Sequence, residues 1–136
     1  MLLIKYVGLF ITDEFKSILH TKSPILHENI INNPHVTIDY KPKQISYYKL
    51  IGETHEIEIT GVGNNADNQG FKVNLPPEII KIYNGSRLPH ITVSLNNNAE
   101  AVNTWKLNFK EIDSFKVLGR LGLSTDKGIL YKLTSL

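Results

Sequence analysis

The chain has 136 residues, 41% of them hydrophobic and 21% charged, with a formal net charge of +2. This balance fits one globular domain over residues 1–136 and excludes a disordered, collagen-like or coiled-coil chain. The absence of cysteine rules out disulfide scaffolds, thiol nucleophiles and cysteine-ligated metal sites; the charge by itself does not argue for a nucleic-acid partner.

The opening stretch Met1–Ile11 is apolar, but Lys5 interrupts it and Asp13-Glu14 follow at once, with no small-residue cleavage site. It therefore reads as a strand over Leu2–Ile11 rather than a targeting segment, and the expected location is intracellular (cytoplasmic). No apolar run reaches the ~18 residues of a membrane span, so no membrane partner is expected. Thr12 is placed to cap a helix in which Phe15, Ile18 and Leu19 share one face. A loop rich in Asn and Pro follows through Ser23–Pro34. Strands are expected over His35–Lys41, Glu56–Val62 and Phe71–Leu75, then a helix over Glu78–Asn84 stopped by Gly85. His90–Leu95 reads as a strand, and the tail adds strands near Leu107–Ile112, Phe115–Leu121 and Ile129–Leu133. Gly61-Val62-Gly63 mimics a dinucleotide fingerprint, but no helix follows it; Asp67–Gly70 is turn material, so the segment reads as a hairpin connection.

The same order of elements occurs twice. A strand and a short helix lead into Pro34-His35-Val36-Thr37-Ile38-Asp39, and again into Pro89-His90-Ile91-Thr92-Val93-Ser94. A duplication of this kind predicts an α+β fold with pseudo-twofold symmetry, antiparallel sheets and a few short helices, its two halves bringing the hexapeptides face to face across a cleft. Residues i and i+2 of a strand share a face, so His35 joins Thr37 and His90 joins Thr92. A single His-x-Thr reads as the polar face of an edge strand. Two matched copies supply what a phosphodiester displacement needs: a base for the attacking oxygen, an acid for the leaving oxygen and hydroxyls for the non-bridging oxygens. Neither a metal nor another cofactor is required, and the donor set lacks a zinc pattern.

These motifs, standing in PHVTIDY and PHITVSL, resemble those of the 2H phosphoesterases, and the opening Tyr6-Val7-Gly8-Leu9-Phe10 looks like the first strand of some members. The resemblance covers roughly residues 5–95. It implies a two-lobed, pseudo-twofold α+β fold with one His-x-Thr strand per lobe, and a metal-independent phosphodiesterase acting on a nucleotide or RNA end, with His35, Thr37, His90 and Thr92 catalytic. Members of the family hydrolyse 2′,3′-cyclic phosphates, make or open 2′–5′ bonds, or destroy cyclic nucleotide signals, so RNA processing and anti-defence roles both remain open. The alternative is a module of the same fold that binds a nucleotide or RNA end without cleaving it. Three further residues are candidates for contacting the substrate. Lys41 would continue the His35 face by alternation, Arg87 precedes the second motif, and Tyr6 could stack a base. Tyr47, Tyr48 and Trp105 are weaker stacking candidates, and the scattered lysines do not support duplex binding.

Overall fold

Short β-branched and alternating runs separated by turn residues favour strands over helices here, and strands dominate the fold. The computed structural model describes residues 3–85 and 87–132. The expected strand ends at Leu2 and Leu133, and Ser86, lie outside them. The strands are β1 (Ile4–Ile11), β2 (Asn29–Ile30), β3 (His35–Tyr40), β4 (Thr54–Asn64), β5 (Asn68–Asn74), β6 (His90–Leu95), β7 (Lys110–Thr125) and β8 (Gly128–Leu130). The helices are α1 (Asp13–Lys22) and α2 (Pro77–Ile80). The fold is α+β, a mostly antiparallel eight-stranded sheet with few short helices.

The sheet runs β2-β6-β5-β4-β7-β1-β3, with β8 paired to β7. β3 therefore closes one end and β6 lies next to the other. Yet Cα atoms of β3 and β6 approach within 8 Å, so the sheet bends until its two motif strands face each other. One isolated parallel bridge, Asp39 to Asn84, crosses the remaining gap. On one face Val7, Leu9, Val36, Ile57, Phe71, Ile91 and Leu121 are fully buried, joined by Leu19 of α1 and Ile79 of α2. This core buries the apolar alternates of both motif strands and leaves the histidine–threonine face free of it.

Several expectations change. The helix foreseen over Glu78–Asn84 is a single turn, Pro77–Ile80, because Asn84 leaves it to pair with β3: its backbone N–H donates to the Ile38 carbonyl at 2.8 Å. The separate tail strands over Leu107–Ile112 and Phe115–Leu121 are one long strand, β7, whose register slips opposite Thr60. Such an irregularity bends a strand without ending it. Thr12 occupies the N-cap of α1, but its hydroxyl donates to the Glu14 carboxylate at 3.2 Å rather than accepting from the backbone. The short β2 and a 3₁₀ segment over Ala101–Lys106 carry no period that would reveal them in the sequence. A hairpin is present but tighter than expected: β4 and β5 pair antiparallel, residues 61–64 and 68–70 belong to the strands rather than to the connection, and the Asn65 carboxamide accepts the backbone N–H groups of Asp67 and Asn68.

Candidate active site

Each motif begins with a proline that follows Asn33 or Leu88. In both, the histidine ring turns back over it: His35 Nδ1 lies 2.9 Å from the Asn33 carbonyl, and His90 Nδ1 lies 2.9 Å from the Leu88 carbonyl. A carbonyl only accepts, so Nδ1 carries the proton in both rings and Nε2 holds a free lone pair in the neutral form. Burial pushes both imidazoles below their ordinary range. Contact with the carbonyl opposes that shift, while the His90 charge adds to it at His35 and the Arg87 charge adds to it at His90. The two imidazoles are thus close enough for the charge on one to disfavour protonation of the other.

The strands that carry them match residue by residue. His35, Val36 and Thr37 pair with Phe10, Leu9 and Gly8 of β1; His90, Ile91 and Thr92 pair with Lys72, Phe71 and Gly70 of β5. A glycine stands opposite each threonine, and the register slips at the same place in both pairs, leaving Ile38 and Val93 as the extra residues. The second glycine is obligatory, since a Cβ at Gly70 would collide with the Ile91 carbonyl and fall 2.5 Å from Thr104 Cγ2.

The threonines differ. Thr37 is half-buried, and among the described residues its hydroxyl has no side-chain or backbone partner. Thr92 is 8% exposed; its hydroxyl donates to the Ala101 carbonyl at 3.1 Å and meets the Thr104 hydroxyl at 2.8 Å. Asn68 Nδ2 completes the network, donating to Thr104 at 3.1 Å and to the Glu100 carbonyl at 2.9 Å. The 3₁₀ segment therefore covers Thr92, whose hydroxyl would have to turn to reach a ligand.

Of the three expected contact residues, the structure brings two to the histidines. The Tyr6 ring stacks on His35 with centroids 4.9 Å apart, and Phe10 flanks the same imidazole at 5.2 Å. The Arg87 guanidinium is near enough to influence His90 and lies 5.3 Å from the Trp105 ring centroid. Lys41 departs from the alternation because of the bulge at Ile38. It sits past the end of β3 with φ +48, its ammonium 5.4 Å from the neighbouring Tyr40 ring. The same bulge turns Asp39 inward. Asp39 is 5% exposed and accepts from the Tyr47 hydroxyl at 2.8 Å and from Asn84 Nδ2 at 3.1 Å. This buried carboxylate clamps β3 to the segment that leads into β6, a positioning role not visible in the spacing. Tyr47 is thereby a structural donor, its phenol pushed well above the ordinary range by burial and by Asp39. Tyr48 is exposed.

Lys72 was also beyond reach of the sequence. Directly paired residues share a face, so Lys72 stands on the face of β5 that His90 takes on β6, as Phe10 stands on the face of His35. Among the described residues, no three His, Asp or Glu side chains gather to hold a metal, and no helix is long and apolar enough to cross a membrane. Compared with models of known protein families, the chain matches none, and no curated protein matches it.

Proposed function

We propose that the chain is a metal-independent phosphodiesterase of the 2H type, acting on a nucleotide or RNA phosphodiester through His35 and His90. The observation that carries this reading is the matched pair of imidazoles, each with Nδ1 pinned by the carbonyl two residues upstream and, among the described residues, Nε2 without a hydrogen-bond partner. One Nε2 takes the proton of the attacking oxygen, a water or the substrate's own 2′-hydroxyl. The other, entering protonated, gives its proton to the leaving oxygen as the P–O bond breaks. The pair ends the cycle with its protons exchanged and its total charge unchanged. Thr37 donates to a non-bridging oxygen, and Lys72 and Arg87 offset the phosphoryl charge. Tyr6 and Phe10 fix the plane of the His35 ring.

The finer fold belongs to the same proposal. The half-sheets β3-β1-β7 and β6-β5-β4 are two pseudo-twofold lobes, each contributing one His-x-Thr strand, with β4 and β7 exchanged between the chain-order repeats and paired to each other at the junction. Equivalent bulges at Ile38 and Val93 and equivalent glycines at Gly8 and Gly70 support it. One observation favours a second reading, a binding module without turnover: the Thr92 hydroxyl is already engaged within the protein.

A turnover screen in EDTA separates the two. Its panel holds 2′,3′-cyclic mononucleotides, RNA ending in a cyclic phosphate, and cyclic di- and trinucleotides. Product from one class, lost by on the order of 10²-fold or more in His35→Ala and in His90→Ala, is the expected result. Undiminished turnover in either variant overturns the mechanism. No product, with binding retained in both variants, establishes the module instead.

A further inference from the structure

An open surface depression of ≈ 600 Å³ lies beside the candidate active site, lined by Ile51, Gly52, Glu53, Arg120, Tyr131 and Lys132. Aromatic rings connect it to the first histidine. Tyr131 meets Phe10 edge-on at 6.2 Å, and Phe10 lies 5.2 Å from His35. Arg120, on β7, is held in a fixed pose: its Nε donates to the Gly52 carbonyl at 2.9 Å, and its guanidinium lies 4.3 Å from the Tyr131 ring centroid. Those contacts occupy one N–H and one face of the guanidinium. Among the described residues, no side chain or carbonyl takes its other N–H groups, which a ligand could then accept. Gly52 makes this approach possible. It has φ +94, and a Cβ there would fall 2.5 Å from the Tyr131 carbonyl.

A pre-oriented guanidinium fork suits a phosphate, and its plane or an aromatic ring suits a base. Lys132 adds a second cation. Glu53 adds one carboxylate, an acceptor for an exocyclic amino group and an opponent of a ligand that is all anion. We infer that this depression is a second nucleotide subsite, holding the unit next to the phosphodiester that lies between His35 and His90. The substrate class is then two or more linked ribonucleotides, cyclic or at an RNA end, rather than a lone 2′,3′-cyclic mononucleotide. This inference rests on the phosphodiesterase reading of the histidine pair.

The test compares kcat/KM for 2′,3′-cyclic AMP, for ApA ending in a 2′,3′-cyclic phosphate and for 3′,3′-cyclic di-AMP, in the wild type, Arg120→Ala and Arg120→Lys. The lysine variant keeps the charge but removes the fork and the stack, and melting curves accompany all three proteins. On the linked substrate that is cleaved, both variants are expected to lose about tenfold to a hundredfold, the range of one base-stacking contact. Cleavage of 2′,3′-cyclic AMP stays unchanged. Equal loss on mono- and dinucleotide, or no loss, overturns the subsite. A second arm measures binding of fluorescein-labelled ApA to the His35→Ala/His90→Ala protein, with and without Arg120→Ala. Binding that depends on Arg120, with no turnover in the wild type, retains the subsite and refutes the phosphodiesterase. Binding that is absent or indifferent to Arg120 refutes the subsite even where turnover is seen.

Discussion

Replacing each motif threonine by valine separates two residues that the sequence presents as equivalents. Valine keeps the shape and removes the hydroxyl. At Thr92 the loss breaks a buried network: the Ala101 carbonyl loses its donor at 3.1 Å, and the Thr104 hydroxyl loses one of its two side-chain partners, at 2.8 Å, keeping only Asn68. Two hydrogen bonds at ~1 kcal/mol each, with a buried group left unpaired, give a destabilisation of about 1–3 kcal/mol. For a domain of this size each kcal/mol lowers the melting temperature by about 3–5 °C, so Thr92→Val is expected to melt roughly 3–15 °C below wild type. At Thr37 no partner within the described residues is lost, and the stability change stays within about 0.5 kcal/mol. Activity runs the other way. Removing a hydroxyl that faces developing charge costs on the order of 10²-fold in turnover at Thr37, and less than about tenfold at Thr92. Thermal melts and initial rates on the substrate found in the screen measure both. A Thr92→Val protein that melts like wild type but turns over as slowly as Thr37→Val refutes the reasoning. It would mean that the Thr92 hydroxyl serves the substrate, not the 3₁₀ segment.

Other outcomes follow from the same geometry. Because burial lowers both histidines from the ordinary imidazole value of about 6.5, the protonated partner is lost early as pH rises. The kcat/KM profile is therefore expected to peak on the acid side of neutrality and fall toward pH 8; a peak above pH 8 contradicts it. The same lowered values mean that the unfolded chain binds more protons than the folded one near and below about pH 6.5. Melting temperature should hold steady above about pH 7 and drop as pH falls from there toward the folded values, and His35→Gln/His90→Gln should flatten that drop. Gly70→Ala, whose Cβ would collide with the Ile91 carbonyl, is expected to destabilise by more than ~1 kcal/mol, whereas Gly8→Ala, whose Cβ would press on the Val36 carbonyl at 3.3 Å, is expected to lower the urea midpoint by less than Gly70→Ala does. Asp39→Ala leaves Tyr47 and Asn84 without their shared acceptor. It should cost about 1–3 kcal/mol in denaturant melts and slow turnover by loosening β3 against the approach to β6.

The residues of the two motifs, their placement on strands and the apolar set facing away from them were legible because strand alternation needs only local sequence. Val36, Ile38, Ile91 and Val93 are buried as their spacing predicts, and the repeated Pro-His-x-Thr order by itself marks the candidate site. Alternation failed at Ile38, where a bulge decided by pairing with β1 shifted Asp39 into a clamp and carried Lys41 past the strand end. What lies across a strand or beyond a bend depends on register and on which segments return to pack, and neither has a sequence period. Lys72 beside His90, the 3₁₀ segment over Thr92, and Arg120 with Tyr131 beyond Phe10 all come from parts of the chain outside the motifs they serve. Local sequence thus determined which groups are available for chemistry; tertiary pairing decided that Thr37 has no partner among the described residues while Thr92 has two, because only packing brings Thr104 and the Ala101 carbonyl within hydrogen-bond distance.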